Sequence, residues 1–197
     1  MRLRGMGGVR DDWTSLDRRH VQGQTAAHET DRVPAMSEDL PNFRYHPDPV
    51  ATGSIRASSD RCVCCGRSRG WIYTAGFYTA HDVDGPFCPW CIADGSAAER
   101  FEGDFTDCFG LDGVSMDVVH EVTRRTPGFS GWQQPHWLSH CGDAAALVGE
   151  VGYGELAKYP EALDQLGDFA AHLGGDAGPV LFRCTVCGTH LAYVDAS

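Results

Sequence analysis

The chain has 197 residues, 42% hydrophobic and 22% charged, which suits one globular domain with a sizeable core, with or without a tail. Its formal charge of -11 argues against non-specific binding to nucleic acid or an anionic membrane, since both carry the same sign. No apolar run reaches the roughly 20 residues of a membrane span, and MRLRGMGGVRDD lacks the apolar region of a secretory signal.

Residues 1–36 mix Arg, Asp, Gly, Gln and His in no period. Six Arg against five acids leave this stretch at +1, so residues 37–197 carry 10 basic and 22 acidic side chains. So few aliphatic residues cannot offset the entropy of ordering the segment. It reads as a disordered tail or, preferably, as the product of a start codon set too far upstream, with translation beginning at Met36. The folded domain is then 37–197.

From Leu40, LPNFRYHPDPVATGSI holds Pro41, Pro47 and Pro49, so an extended arm is expected, with Phe43 and Tyr45 alternating along it. GWIYTAGFYTA reads as a strand or hairpin from its β-branched and aromatic residues. Ser96 and Glu99 have the spacing of a capping box, which predicts a helix from Ala97. MDVVHEVTRR places Val118, Val119 and Val122 on one face of a short helix closed by Thr126-Pro127-Gly128. QPHWLSHC reads as a second short helix, with Pro135 in its first turn and Trp137 and Cys141 on one face. YPEALDQLGDFAAHLGG is the clearest helix, opened by Pro160, with Ala162, Leu166, Phe169, Ala170 and Leu173 on one face and Gly174-Gly175 at its end. VLFRCTVCGTHLAYVD reads as strand, cysteine turn, strand. The fold class expected is α+β, a small mixed domain with zinc-ribbon-like cysteine knuckles and short helices.

Nine cysteines without a signal peptide point to a reducing compartment, read here as the cytoplasm. There, paired cysteines mean metal ligation or redox chemistry sooner than a disulfide framework. Cys62-x-x-Cys65 and Cys88-x-x-Cys91 stand 22 residues apart. Each turn aims two sulfurs at one point, and two turns together make a tetrahedral four-cysteine site for Zn2+. The intervening segment reads as a β-hairpin that brings the turns together, and Gly66 suits the left-handed backbone of such a knuckle. Arg61, Arg67 and Arg69 would offset the surplus thiolate charge. The competing readings are a redox pair and simple packing.

Cys184-x-x-Cys187-Gly188 repeats the turn and forms half of a second site. Its further ligands are sought among Cys141, His140, His172 and His190, with Cys141 preferred and His140 next. Because the repeated unit is C-x-x-C-G, Cys64 within RCVCCG is a filler rather than a ligand. Cys108 has no partner at ligand spacing and reads as a packed or free thiol.

Five segments occur in order: LPNFRYHPDPVATGSI, the first cysteine turn, FCPWCIADGSAAERFEGDF, RTPGFSGWQQPHWLSHCGD and LFRCTVCG. Together they resemble the bacterial CbrC family, named for a protein associated with colicin tolerance and a two-component stress regulon. The resemblance covers Leu40 to Asp195 and supports Met36 as the start. It implies no biochemical activity and no catalytic residues. The family's recurring cysteine turns match Cys62, Cys65, Cys88, Cys91, Cys184 and Cys187. Some relatives have another cysteine after HC-x-D, where this chain has Ala144-Ala145-Ala146, and the second site would differ accordingly.

Two functions are expected. The preferred one is a zinc-stabilised interaction module or adaptor in stress or colicin tolerance, with an unidentified protein partner and with aromatics near Trp132, Trp137 and Tyr45 on its surface. The alternative is an enzyme with a small polar pocket around Gly131–Cys141, drawing on Trp132, Gln133, Gln134, His136, Trp137 and His140. Nucleic-acid binding fits worst, because the basic patch of Arg56, Arg61, Arg67 and Arg69 is local.

Overall fold

A computed structural model describes residues 39–168 and 178–195, all within the unit Met36–Ser197. Strand β1 (Ile55–Ala57) pairs antiparallel with β2 (Trp71–Tyr73), Ile55 lying opposite Tyr73. Helices α1 (Pro89–Ala93), α2 (Ser96–Phe101) and α3 (Met116–Arg125) come next. A four-stranded antiparallel sheet then forms in chain order from β3 (Ser139–His140), β4 (Asp143–Glu150), β5 (Gly178–Cys184) and β6 (His190–Asp195). Helices α4 (Tyr153–Leu156) and α5 (Pro160–Leu166) lie in the β4–β5 connection.

Burial divides into three clusters. Phe43, Ile55, Tyr73, Phe87, Ile92 and Phe105 pack around the first cysteines, with Phe105 edge-on to both Tyr73 and Phe87. Tyr45, Val122, Phe129, Trp137, Leu147 and Phe182 form the second cluster, on one face of the larger sheet. The opposite face carries the third, in which Leu181 and Ala192 meet Leu156, Ala162 and Leu166 of α4 and α5. Strand alternation explains the split, since Leu181 and Phe182 are neighbours that point to opposite faces. With both faces covered, each fully buried Leu or Phe contributes roughly 1.5–3 kcal/mol.

The proline-rich arm contains no strand before Ile55, where β1 begins, yet it joins the clusters. Phe43 enters the first and Tyr45 the second, while the Leu147 N–H donates to the Tyr45 carbonyl at 2.8 Å. The next residue, His46, is fully buried. Its Nδ1 lies 2.7 Å from the Pro127 carbonyl and its Nε2 2.7 Å from the Thr52 hydroxyl. Since a carbonyl only accepts, Nδ1 bears the proton and Thr52 can donate to Nε2. Burial pushes its pKa down to about 4.

Several local expectations change. QPHWLSHC is not a helix; it is loop running into β3. The Trp137 N–H donates to the Phe109 carbonyl at 3.1 Å and the Ala145 N–H to Leu138 at 2.9 Å, so its backbone groups are spent on distant partners. GWIYTAGFYTA supplies only β2, and its strand partner lies upstream. The paired strands therefore flank the Cys62–Cys65 turn, and only β2 lies between the two cysteine pairs. Helix α2 begins at Ser96 without a capping box, because the Ser96 hydroxyl and N–H both bond Asp94 Oδ1, at 2.6 and 2.9 Å. Helix α3 has a true cap, Ser115 accepting the Val118 N–H at 3.3 Å. Of the long 160–175 helix, Pro160–Leu166 is seen; Phe169, Ala170, Leu173 and Gly174-Gly175 lie outside the described residues.

Candidate metal centres

The two C-x-x-C-G turns share one backbone design. The Cys62 N–H donates to the Arg67 carbonyl at 2.9 Å and the Cys184 N–H to the Thr189 carbonyl at 2.8 Å. The Gly66 and Gly188 N–H groups close back onto the Cys62 and Cys184 carbonyls, at 2.8 and 3.1 Å. Both glycines hold positive φ, +70° and +80°, where a side chain would be strained. Cysteine sulfurs thus converge while backbone N–H groups point at them. Cys184 Sγ accepts from Val186 and Cys187, each at 3.4 Å.

The first turn meets the start of α1. Cys88 stands at its N-cap, Pro89 holds the first position, and Cys91 lies one turn later. The Val63 N–H donates to the Pro86 carbonyl at 2.9 Å and links the approaches to the two pairs. The ligand atoms of Cys62, Cys65, Cys88 and Cys91 all lie within 4.8 Å of one another. Cys65 Sγ is 3.8 Å from Cys88 Sγ, and the Cys88 N–H donates to Cys62 Sγ at 3.2 Å. Four thiols this close cannot all ionise alone. A hydrogen bond from Cys88 holds Cys62 down at about 4, while the same contact and burial push Cys88 up; burial raises Cys91 to about 12. A divalent cation removes this conflict by taking all four as thiolates.

The second quartet is assembled from two hairpin turns. His140 and Asp143 pair across β3 and β4, leaving Cys141-Gly142 as a two-residue loop. Both loop residues have positive φ, +54° and +74°, as a type I′ turn requires. This turn carries His140 and Cys141 toward the Cys184–Cys187 turn between β5 and β6. His140 Nδ1 lies 3.2 Å from Cys141 Sγ and 3.4 Å from Cys187 Sγ. All four ligand atoms are again within 4.8 Å of one another. Contact with Cys187 pushes Cys141 up to about 11. Thr189 lowers Cys187, and at Cys184 burial is outweighed by the Cys187 and Val186 N–H groups, which lower it.

The quartets differ in exposure. Cys62, Cys88 and Cys91 are buried and only Cys65 is exposed, whereas Cys141 and Cys187 are both exposed. Both donor sets, all-cysteine and three cysteines with one histidine, suit a thiophilic cation in tetrahedral geometry.

Around them, Cys64 is buried, with Sγ 3.6 Å from the Ser96 hydroxyl, and it belongs to neither quartet. Arg61 bonds the Gly66 carbonyl at 3.1 Å, and Arg69 lies 4.0 Å over the Trp90 ring. Arg100, which sequence reasoning did not single out, reaches the Cys64 carbonyl. His190 stacks on Tyr159 at 3.8 Å and faces Glu161, so it joins neither quartet; His172 lies outside the described residues.

The expected aromatic surface is partly core. Trp137 and Tyr45 are both 0% exposed, and Trp137 Nε1 donates to the Ala145 carbonyl at 2.9 Å. Their large apolar area is worth more inside. Trp132 is 70% exposed, and His136 sits between Phe109, which it meets edge-on, and Tyr193. Sequence reasoning also missed Asp143 and Asp195, buried carboxylates whose partners lie 98 and 63 residues away.

Fold and site define an α+β protein with two C-x-x-C-G knuckles, each brought together with two further side chains that could ligate a metal ion. Residues 40–196 match the profile of the uncharacterised protein family UPF0167, and the chain belongs to that family. It is 49% identical over 176 residues to the UPF0167 protein Mb2317 of Mycobacterium bovis, covering 80% of this chain and 94% of that one. It is 45% identical over 170 residues to the UPF0167 protein PA1536 of Pseudomonas aeruginosa, covering 78% and 95%. No solved structure matches it. Among the described residues no helix is long and apolar enough to cross a membrane.

Proposed function

We propose that each quartet holds one Zn2+ as a closed structural centre, and that the protein is a zinc-stabilised cytoplasmic interaction module. One observation carries the reading: each knuckle meets two further ligands from a separate turn, with all four ligand atoms within 4.8 Å. Four protein donors leave no coordination position for substrate, which is how structural zinc differs from catalytic zinc. The centres would also cross-link short elements. β1, β2 and β3 have only three, three and two residues, too few to hold their turns by strand pairing alone.

The exposed Trp132 is the natural anchor for a protein partner. An adaptor role in bacterial stress or colicin tolerance draws its support from the CbrC-like segments. The alternative, an enzyme, is favoured by a cleft beside the Ser130–Pro135 loop. Metal stoichiometry combined with alkylation of the native protein tests the reading. Two zinc ions per chain are expected, with Cys108, exposed and outside both quartets, reacting first. A metal-free protein carrying disulfides would overturn it.

A further inference from the structure

A cleft of about 790 Å³ opens between α3, the Ser130–Pro135 loop and the bridge from Tyr78 to Asp104. None of its lining residues belongs to either quartet, so its binding chemistry is independent of the metal centres. Its volume falls within the roughly 300–1,000 Å³ range of small-molecule sites.

The loop wall is held from behind. Asp195, at the end of β6, accepts the Trp132 N–H at 2.5 Å and the Gln133 N–H at 2.9 Å. A Cβ on Gly131 would stand 2.5 Å from Asp195 Oδ2, so only glycine permits this approach. The Asp195 carboxylate is itself buried. The cleft is therefore pre-shaped by a carboxylate clamp that no metal-binding role requires.

Its chemistry is specific. Two side-chain pairs on its walls each set an acceptor beside an N–H donor. Arg124 Nε meets Asp104 Oδ1 at 3.0 Å, and Gln134 Nε2 meets Asp107 Oδ2 at 2.7 Å. The second carboxylate is further fixed by the Phe109 N–H, at 2.8 Å from Oδ1. Thr106 also lines the cleft, and its hydroxyl is the only buried side-chain polar atom among the described residues without a hydrogen-bond partner. Such an orphan calls for a ligand atom or a bridging water. Tyr78 and Met116, both exposed, give the mouth an apolar lip.

Two carboxylates against one guanidinium and the His120 imidazole make the cleft a poor host for an anion, in a chain already at -11. Paired donors and acceptors match vicinal hydroxyl groups, each of which donates to a carboxylate while accepting from the neighbouring N–H. A pyranose also has an apolar C–H face that suits the ring of Tyr78. We propose that this cleft binds a neutral saccharide, its hydroxyls engaging Asp104–Arg124 and Asp107–Gln134 and its apolar face resting on the Tyr78 ring.

Cys108, exposed and lining the same cleft, provides the reporter. The full chain is titrated with glucose, galactose, N-acetylglucosamine, maltose and trehalose, and with adenosine and inorganic phosphate for comparison. Saturation-transfer NMR and the rate of Cys108 alkylation are read together. At least one sugar should bind and slow alkylation, and Gln134→Ala should weaken it about tenfold, the worth of one lost hydrogen bond. Thr106→Val should also weaken it while leaving the melting temperature unchanged or higher, since it removes a hydroxyl that no protein group satisfies. A purely structural threonine would not give that split. Three outcomes overturn the proposal: no sugar binds, sugar binding survives both substitutions undiminished, or adenosine or phosphate protects Cys108 where sugars do not.

Discussion

The Thr185 hydroxyl donates a 2.6 Å hydrogen bond to Asp143 Oδ2, and so ties the Cys184–Cys187 turn to the hairpin carrying His140 and Cys141. The same carboxylate takes Arg44 Nη2 at 2.6 Å, the Tyr45 hydroxyl at 2.8 Å and the Ala144 N–H at 3.0 Å. Asp143 thus stands behind the second quartet as a shared anchor for both of its halves and for the N-terminal arm. Burial works against its ionisation, yet Thr185, Tyr45 and Arg44 outweigh this and hold its pKa below the usual carboxylate range.

Replacing Asp143 with Asn should therefore weaken metal at the second quartet selectively. Partners that orient metal ligands are typically worth about 10–100-fold in affinity. Competition against a chromophoric chelator should show one weakened site and one unchanged. Equal weakening of both, or of neither, would remove Asp143 from this role. Because its folded pKa is depressed, its stabilising effect is present above the carboxylate's ordinary value, about 3.9, and lost as pH falls through the folded value.

His46 should impose its own pH dependence. Its folded pKa, about 4, lies below the ordinary 6.5, so between these values the unfolded chain binds the proton and the folded chain does not. Stability is then complete above about 6.5, declines as pH falls, and levels off near the folded pKa, a total on the order of 3 kcal/mol. Urea unfolding of the wild type and His46→Gln between pH 7 and pH 4.5 checks this. The gap between them should narrow on acidification; a constant gap would contradict the buried neutral imidazole.

The quartets should also fail differently. Cys62→Ser removes a buried ligand amid the first core cluster and should unfold that region, with loss of near-ultraviolet signal. Cys187→Ser removes an exposed ligand on a sheet turn and should leave a folded chain with one metal. Native mass spectrometry with circular dichroism distinguishes the two. Identical behaviour of both variants would mean that exposure does not separate the centres.

Trp137→Ala should cost about 3–5 kcal/mol, as for other fully buried aromatics, because it empties the second cluster and orphans the Ala145 carbonyl. Trp132→Ala should change stability by no more than about 0.5 kcal/mol, as an exposed site without such ties. Thermal melts of the two variants compare them directly. A large loss at Trp132 would show that its ring is packed and unavailable to a partner.

Local chemistry made some of this legible in the sequence. C-x-x-C-G specifies its own turn, because the glycine admits positive φ and the backbone N–H groups fall within reach of the first sulfur. The valines of α3, and the strands either side of the second cysteine turn, are likewise near-neighbour effects. The His140–Cys141 segment misled because a short run with Pro135 and spaced apolar residues satisfies a helical pattern over too few turns. The Cys-Gly pair before Asp143 was the available hairpin signal.

The sequence by itself therefore determined the knuckles, the residue types able to complete them, and the sign of the surface charge. The tertiary structure alone decided which ligands meet, since Cys141 and Cys184 are joined through sheet register across more than 40 residues. It also decided which aromatics are core and which are surface. Phe43 and Tyr45 differ by two positions yet enter separate clusters, and Trp132 and Trp137 by five yet lie on opposite sides of the protein boundary. Such choices depend on what packs against a side chain from far along the chain, and local composition carries no record of that.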